Sequence, residues 1–391
     1  MWIRILDVLV WILVFYMCYI QKVIIKIPFA LHGISTAIAC VTILYWMEKR
    51  IDIRKYFNVE LKIYSLFFMY MFFCGYFVSS NKNLFIKSVF PGILFSFLMV
   101  IVCILSLEKQ SIKSYMWLLM ILGFISGVTS LVNNVYIQER LVIGLGNNSN
   151  DLAYTMLFGI IGALYLLSQT SVAKKIVPYI YIIFSIYIII LTGSRKSTLA
   201  ILILIISWFV LAYFPTKSKN LLKGTLLLIS TIIFFLMIMS FIKEFYAESI
   251  LAQRMESLFL NGDETRQNMY KEALMVWKEN MFLGIGFDNF RNYSIYKTYS
   301  HSTYVEGLAS FGILGCGLIV IVFLNNLYKI IIRYIKNRYN NNQKYIDGWG
   351  ISIYIVLIYY GVGMIHFYES LSYFIMGILI FISNYKYGKE Y

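Results

Sequence analysis

The chain has 391 residues, 60% of them hydrophobic and only 14% charged, with a mean hydropathy of +0.74. That composition excludes an ordinary soluble globular domain. The formal net charge of +15 is read as basic loops gathered on one side of a membrane and drawn to anionic lipid, not as a nucleic-acid surface.

A run of about 20 apolar residues crosses a hydrocarbon core. About twelve such runs fall near 5–20, 25–46, 62–79, 84–106, 115–133, 151–168, 176–192, 197–214, 222–242, 302–326, 348–365 and 369–385. The expected fold class is therefore an all-α polytopic membrane protein of about 12 transmembrane helices with one large extracytoplasmic helical loop. Residues 1–242 hold helices one to nine, 243–301 the loop, and 302–391 helices ten to twelve. The first run opens Met1-Trp2-Ile3-Arg4 with no small-residue cleavage site after it, and is read as a retained span. Lys49, Arg50, Arg54, Lys55, Lys109, Lys113, Lys174, Lys175, Lys217, Lys219 and Lys223 fall in alternate loops, as do Lys329, Arg333, Lys336, Arg338 and Lys344. With twelve spans these lie on one side, which puts both termini in the cytoplasm and the 243–301 loop outside.

The five cysteines, Cys18, Cys40, Cys74, Cys103 and Cys316, lie in apolar runs without CxxC spacing and read as small core residues. The three histidines are too scattered for a metal motif, and no phosphate loop of the P-loop or Rossmann type is present. Neither a metal nor a cofactor is expected. The energy must come from a gradient or an already activated substrate.

Polar residues interrupt the apolar pattern at four outward positions. The loop around Arg140 ends in Asn147-Asn148-Ser149-Asn150-Asp151, a good N-cap for the next span. Thr192-Gly193-Ser194-Arg195-Lys196-Ser197 forms a tight turn in which Ser194 or Ser197 is expected to cap the following helix. Two cations at a helix N-terminus oppose its dipole unless an anion shares the site. The long loop reads as two helices, 243–260 and 264–279, separated by Asn261-Gly262-Asp263. In the second, Arg266, Met269, Tyr270, Ala273 and Trp277 share one face. In the first, Tyr246, Ile250, Arg254 and Leu258 do, so both arginines point toward the membrane domain. An interfacial amphipathic helix explains the two helices but not inward arginines. The fourth position is Tyr299-Ser300-His301-Ser302-Thr303-Tyr304-Val305-Glu306, with His301 at the membrane surface and Glu306 about one turn inside, a functional candidate as an intramembrane carboxylate. His366 and Glu369 also lie outward.

Arginine forks suit bidentate grip on phosphate. An outward set of Arg195, Arg254 and Arg266 beside a histidine suits a pyrophosphate at the membrane surface, stabilised as a leaving group without a metal. In this order the elements Asn150-x-Leu152-Ala153, Gly193-Ser194-Arg195, Arg254, Arg266 and Trp277 are followed by Gly284-Ile285-Gly286 with Asn289-Phe290. His301 with Tyr304 and Gly312-x-x-Gly315 complete the series. The series resembles the O-antigen polymerase and O-antigen ligase superfamily of bacterial surface-polysaccharide assembly, most strongly from Thr192 to Gly315. The chain departs from the family in having Ser302 after the histidine where Asn is common, and Met281-Phe282-Leu283 where Pro precedes the Gly-x-Gly turn.

The resemblance implies a GT-C-like helical fold in the bacterial cytoplasmic membrane. It also implies an inverting, metal-independent glycosyl transfer that releases undecaprenyl diphosphate. Arg195, Arg254 and Arg266 would bind the diphosphate, His301 would orient or deprotonate the acceptor hydroxyl, and Glu306 is the second choice of base. Arg140, Asn150, Ser194, Lys196, Tyr270, Trp277 and Tyr304 complete the expected substrate-binding set. The expected partners are an undecaprenyl-diphosphate-linked oligosaccharide, membrane lipid and a chain-length regulator. A capsule or O-antigen polymerase is the leading reading, with a ligase to another acceptor second. The competing class is a lipid-linked oligosaccharide flippase, disfavoured because the chain has no two-half symmetry and its polar residues gather in one loop.

Overall fold

The computed structural model describes residues 2–20, 58–79, 82–107, 112–144, 148–169, 172–213, 251–254, 264–337 and 339–384, with isolated positions 37, 40, 44, 47, 225, 226, 229 and 233. Its helices are α1 (Trp2–Phe15), α2 (Val59–Val78), α3 (Phe90–Leu107), α4 (Ile112–Asn133), α5 (Ser149–Gln169), α6 (Ile176–Leu191), α7 (Arg195–Trp208), α8 (Glu264–Glu279), α9 (Phe290–Tyr293), α10 (Thr303–Lys336), α11 (Asn341–Gly361) and α12 (Ser370–Asn384). Among the described residues five helical stretches are long and apolar enough to cross a membrane: α2, α4, α5, Arg195–Ala212 and α10. Helices α6 and α12 are apolar but shorter. These features support an integral membrane protein. The runs expected at 25–46 and 222–242, and most of the first loop helix, lie outside the described residues.

Helix α5 is the centre of the bundle, buried without interruption from Leu152 to Leu167. A helix apolar on every side needs partners on every side, and α4, α6 and α7 supply them. Small residues permit the close approach. Gly123 and Gly127 on α4, a small-xxx-small pair, lie against Tyr181 and Phe184 of α6, and a Cβ at Gly162 would come 2.6 Å from the Met116 carbonyl. Trp349 of α11 donates its indole N–H to Ile161 O at 2.9 Å, tying α11 to the same core.

The 34-residue α10 is interrupted at Gly312, whose φ of 60° and ψ of −168° only glycine adopts readily. A break in a membrane helix releases backbone groups that lipid cannot satisfy. Residues 281–286 satisfy them here. Ile285 N and Gly286 N donate to Ala309 O and Ser310 O at 2.9 Å each, while Ile313 N donates to Met281 O at 2.8 Å and Leu314 N to Phe282 O at 3.3 Å. Tyr70 of α2 adds a hydroxyl donated to Phe311 O at 2.8 Å. The approach is close enough that a side chain at Gly284 would meet the Ser310 carbonyl carbon at 2.5 Å. Asn289 closes the turn by donating to Ile285 O at 2.8 Å, and Phe290 packs with Ala273, Ile285 and Ala309. Gly284, Gly286, Gly312 and the Asn289-Phe290 pair of the family-like series thus meet in one packed junction. Met281 and Phe282, standing near the place of the family's proline, supply two of its acceptors.

At the other end of α10 the structure revises the expected loop. The helix continues to Lys336, so Lys329 and Arg333 lie within it and not after it. Lys329 pairs with buried Glu60 at 2.5 Å, and Arg333 with buried Asp347 at 2.6 Å. Of the cysteines expected in the core, Cys103 is buried, Cys74 and Cys316 are half-buried and Cys40 is exposed. The all-α expectation needs one addition, a two-residue hairpin in which Tyr136–Ile137 (β1) pairs with Arg140–Leu141 (β2). Its turn residues Gln138 and Glu139 have φ of 49° and 61°, the primed-turn geometry of tight hairpins.

Candidate functional site

The hairpin presents Arg140 to the turn between α6 and α7. Arg140 donates from Nε to Thr192 O at 2.8 Å and from Nη2 to Asn150 Oδ1 at 3.1 Å. Ser194 Oγ donates to the same Asn150 oxygen at 3.0 Å. Asn150 therefore bridges two of the expected site residues, while Asn148 caps α5 by accepting from Asn150 N at 2.9 Å. The capping expected of Ser194 is not observed: it occupies the N-cap position of α7, but its side chain makes no cap bond and turns to Asn150 and to Ser197 Oγ. The first amides of α7 are left without that side-chain acceptor.

Four further cations converge on this turn. Arg195 Nη1 donates to Arg254 O at 2.7 Å, and Arg254 Nη1 returns a bond to Gly193 O at 3.0 Å. Lys196 Nζ bonds Gly363 O and sits 4.5 Å above the Tyr360 ring. A Cβ built on Gly363 would stand 3.3 Å from Lys196 Nζ and 3.5 Å from Arg266 Nη1. Burial, then the charges of Arg254, Arg266 and Arg195, pushes the Arg140 guanidinium down to about 10. Like charges so disposed repel unless an anion joins them. Asp151 and Glu369 bring carboxylates to the same face, where they add to burial in raising the Tyr299 phenol.

Helix α8 forms over Glu264–Glu279, as the sequence pattern requires, and buries Met269 and Ala273 on the expected face. Tyr270 donates its hydroxyl to Val362 O at 2.7 Å, which with Arg266 fastens α8 to the segment between α11 and α12. Trp277 is half-buried, and its buried indole N–H has no hydrogen-bond partner among the described residues.

His301 follows Tyr299 and Ser300 at the foot of α10, in the left-handed region at φ 61°. Its ring packs on Tyr299 with centroids 4.4 Å apart, and Arg291, ion-paired to Asp288 at 2.7 Å, lies over the other ring at 5.5 Å. Thr303 donates from N at 3.0 Å and from Oγ1 at 2.6 Å to Met364 O, one residue beyond the glycine that meets Lys196 and Arg266. The segment 361–366 thus has the cations on one side and the His301 turn on the other. Tyr304 is partly exposed and donates its hydroxyl to Ile358 O at 2.7 Å. Glu306 is fully buried, accepting from Ser300 N at 2.7 Å and from the Tyr368 hydroxyl at 3.0 Å.

Sequence reasoning passed over Tyr360, Gly363 and Tyr368. The only visible signal was Gly361-x-Gly363 between two apolar runs, which marks a turn without naming its contacts. His366 is half-buried, bonded through Nε2 to Leu357 O at 2.8 Å and through Nδ1 to Ser372 Oγ at 3.2 Å. Burial pushes its imidazole down to about 4, with Lys196 adding to the effect. It is a neutral strut of the junction.

No curated protein matches the chain. Residues 180–320 match the family model described as O-antigen ligase, a stretch that holds Arg195, Arg254, Arg266 and His301 but not Arg140 or Asn150. The match supports glycan transfer as the general activity, and it supports the O-antigen ligase and polymerase superfamily as the relative of this segment.

Proposed function

We propose that the protein transfers a glycan from undecaprenyl diphosphate to a sugar hydroxyl of a second lipid-linked unit, as a polysaccharide polymerase at the outer face of the bacterial cytoplasmic membrane. The observation that carries this reading is the gathering of Arg140, Arg195, Lys196, Arg254 and Arg266 around the 192–196 turn, with Lys196 and Arg266 reaching Gly363, next to the Met364 carbonyl that Thr303 of the His301 turn bonds. The acceptor hydroxyl attacks the anomeric carbon of the donor sugar as the bond from that carbon to the phosphate oxygen breaks. The electron pair leaves with undecaprenyl diphosphate, and the acceptor proton passes to His301. Attack opposite the leaving group inverts the anomeric centre. The cations stabilise charge that develops on the diphosphate, the role a metal plays elsewhere. Imidazole is the side chain best suited to accept a proton at neutral pH.

Transfer to another acceptor is the second reading, favoured by the family model's description as a ligase. Twelve spans, a GT-C-like arrangement and a chain-length regulator as partner belong to the same proposal. The test is reconstitution of the purified protein with undecaprenyl-diphosphate-linked repeat units from its host, in EDTA. A ladder of oligomers is the expected result. Substrate crossing the bilayer without a ladder would overturn the proposal in favour of a flippase.

A further inference from the structure

We infer that Glu306 is a positioning residue that holds the left-handed turn carrying His301, and is not a second base. The inference rests on the proposed role of His301. Both oxygens of Glu306 are committed inside the protein, Oε2 to Ser300 N at 2.7 Å and Oε1 to the Tyr368 hydroxyl at 3.0 Å, and the residue is fully buried. A base must reach the proton it removes, and this carboxylate is closed off from solvent with both oxygens bonded inside the protein.

What it does reach is the amide immediately before His301. A non-glycine residue at φ 61° persists only where its surroundings over-determine it. Glu306 supplies the constraint twice: its side chain takes the Ser300 N–H, and its own N–H donates to Ser302 O at 3.1 Å. These two bonds bracket His301. Position four of α10 also places the carboxylate near the helix N-terminus, where a negative charge is favoured. Tyr368 extends the device. It belongs to the single turn His366–Tyr368, whose His366 N donates to Thr303 Oγ1 at 2.9 Å, and its ring edges onto Tyr299 at 6.2 Å. Glu306 and Tyr368 therefore set the His301 turn against the same segment that Lys196 and Arg266 touch.

The test compares Glu306→Gln, Glu306→Ala and Tyr368→Phe by two readouts. One is carbethoxylation of His301 by diethyl pyrocarbonate as a function of pH, followed by mass spectrometry, with His366, whose two ring nitrogens are both hydrogen-bonded, as the internal control for folding. The other is the kcat and KM of glycan transfer. A carboxamide keeps an oxygen for Ser300 N–H and offers an N–H to the Tyr368 hydroxyl. Glu306→Gln should therefore match wild type in His301 reactivity and pH profile, with kcat within about threefold. Glu306→Ala orphans the Ser300 amide and should raise His301 reactivity while lowering kcat about ten- to a hundredfold at nearly constant KM. Tyr368→Phe should fall between them. If Glu306→Gln is as inactive as His301→Ala while its His301 labels normally, Glu306 takes the proton and the inference is wrong. It is equally overturned if Glu306→Ala labels and turns over like wild type. If Glu306→Ala exposes His366, its fold is lost, and Glu306→Gln with Tyr368→Phe decide. A wild-type protein without transfer but with the expected labelling pattern would remove the proposed function and leave the positioning role intact.

Discussion

The two ends of α10 handle buried charge in opposite ways. Near Lys336, Lys329 meets Glu60 and Arg333 meets Asp347, with Gln343 adding a third bond to the Asp347 carboxylate at 3.0 Å. Near Thr303, Arg140, Arg195, Lys196 and Arg254 spend hydrogen bonds on the carbonyls of Thr192, Arg254, Gly363 and Gly193, and Arg140 feels three other arginines. A cation matched one to one by a carboxylate serves the fold. At the other end five cations crowd a face that Asp151 and Glu369 share, and that excess of positive charge suits an anion. The excess distinguishes the two ends without reference to any relative.

The contrast breaks most sharply by substitution at the His301 end. Arg266→Ala and His301→Ala should each lower glycan transfer by about a hundredfold or more while the protein still reaches the membrane. Near-normal polymer from either, at matched protein level, contradicts the site. At the opposite end the order reverses. Arg333→Ala strands the buried Asp347 carboxylate and should cost about 3–5 kcal/mol of stability, read by thermal denaturation in detergent, with little change in KM for the protein that remains folded. A large KM change there would erase the distinction. Arg195→Lys keeps the charge and loses the planar fork, so a tenfold or larger fall in kcat/KM is expected, about 1.4 kcal/mol or more. Wild-type kinetics would argue for a point-charge site.

A smaller effect sharpens the boundary between the two regions. His366, held near 4, lies below its ordinary value of about 6.5. Its folded form disfavours the proton, so its contribution to stability is complete above about pH 6.5 and is lost as the pH falls from there toward 4. Thermal stability should decline across that window in wild type and decline less in His366→Gln. Parallel curves would mean that His366 carries no such linkage.

The helices were legible because apolar run length and period are properties of the residues themselves. Helix α8 is read directly from Glu264 to Glu279, and its inner face from Met269 and Ala273. The pairing of Lys329 with Glu60 was not legible, since the partners are more than 260 positions apart and only packing brings them together. The same holds for Ser194, whose residue type predicts a cap but whose hydroxyl is drawn to Asn150. Glu306 was visible as an intramembrane carboxylate, yet its role depends on which backbone amide it meets, and no periodicity encodes that. The Gly284 and Gly312 junction was visible as glycines only. Its meaning lies in the helix break that residues 281–286 repair.

The cations at the His301 end are proposed to hold a lipid diphosphate without a metal. The most direct measurement is the thermal denaturation midpoint of the purified protein in EDTA with undecaprenyl diphosphate or undecaprenol, for wild type and for the Arg195→Gln, Arg266→Gln double variant. A rise of midpoint is expected with undecaprenyl diphosphate alone, in wild type alone, since only a ligand bound to the folded state stabilises it. An equal rise with undecaprenol, or an undiminished rise in the double variant, would contradict it.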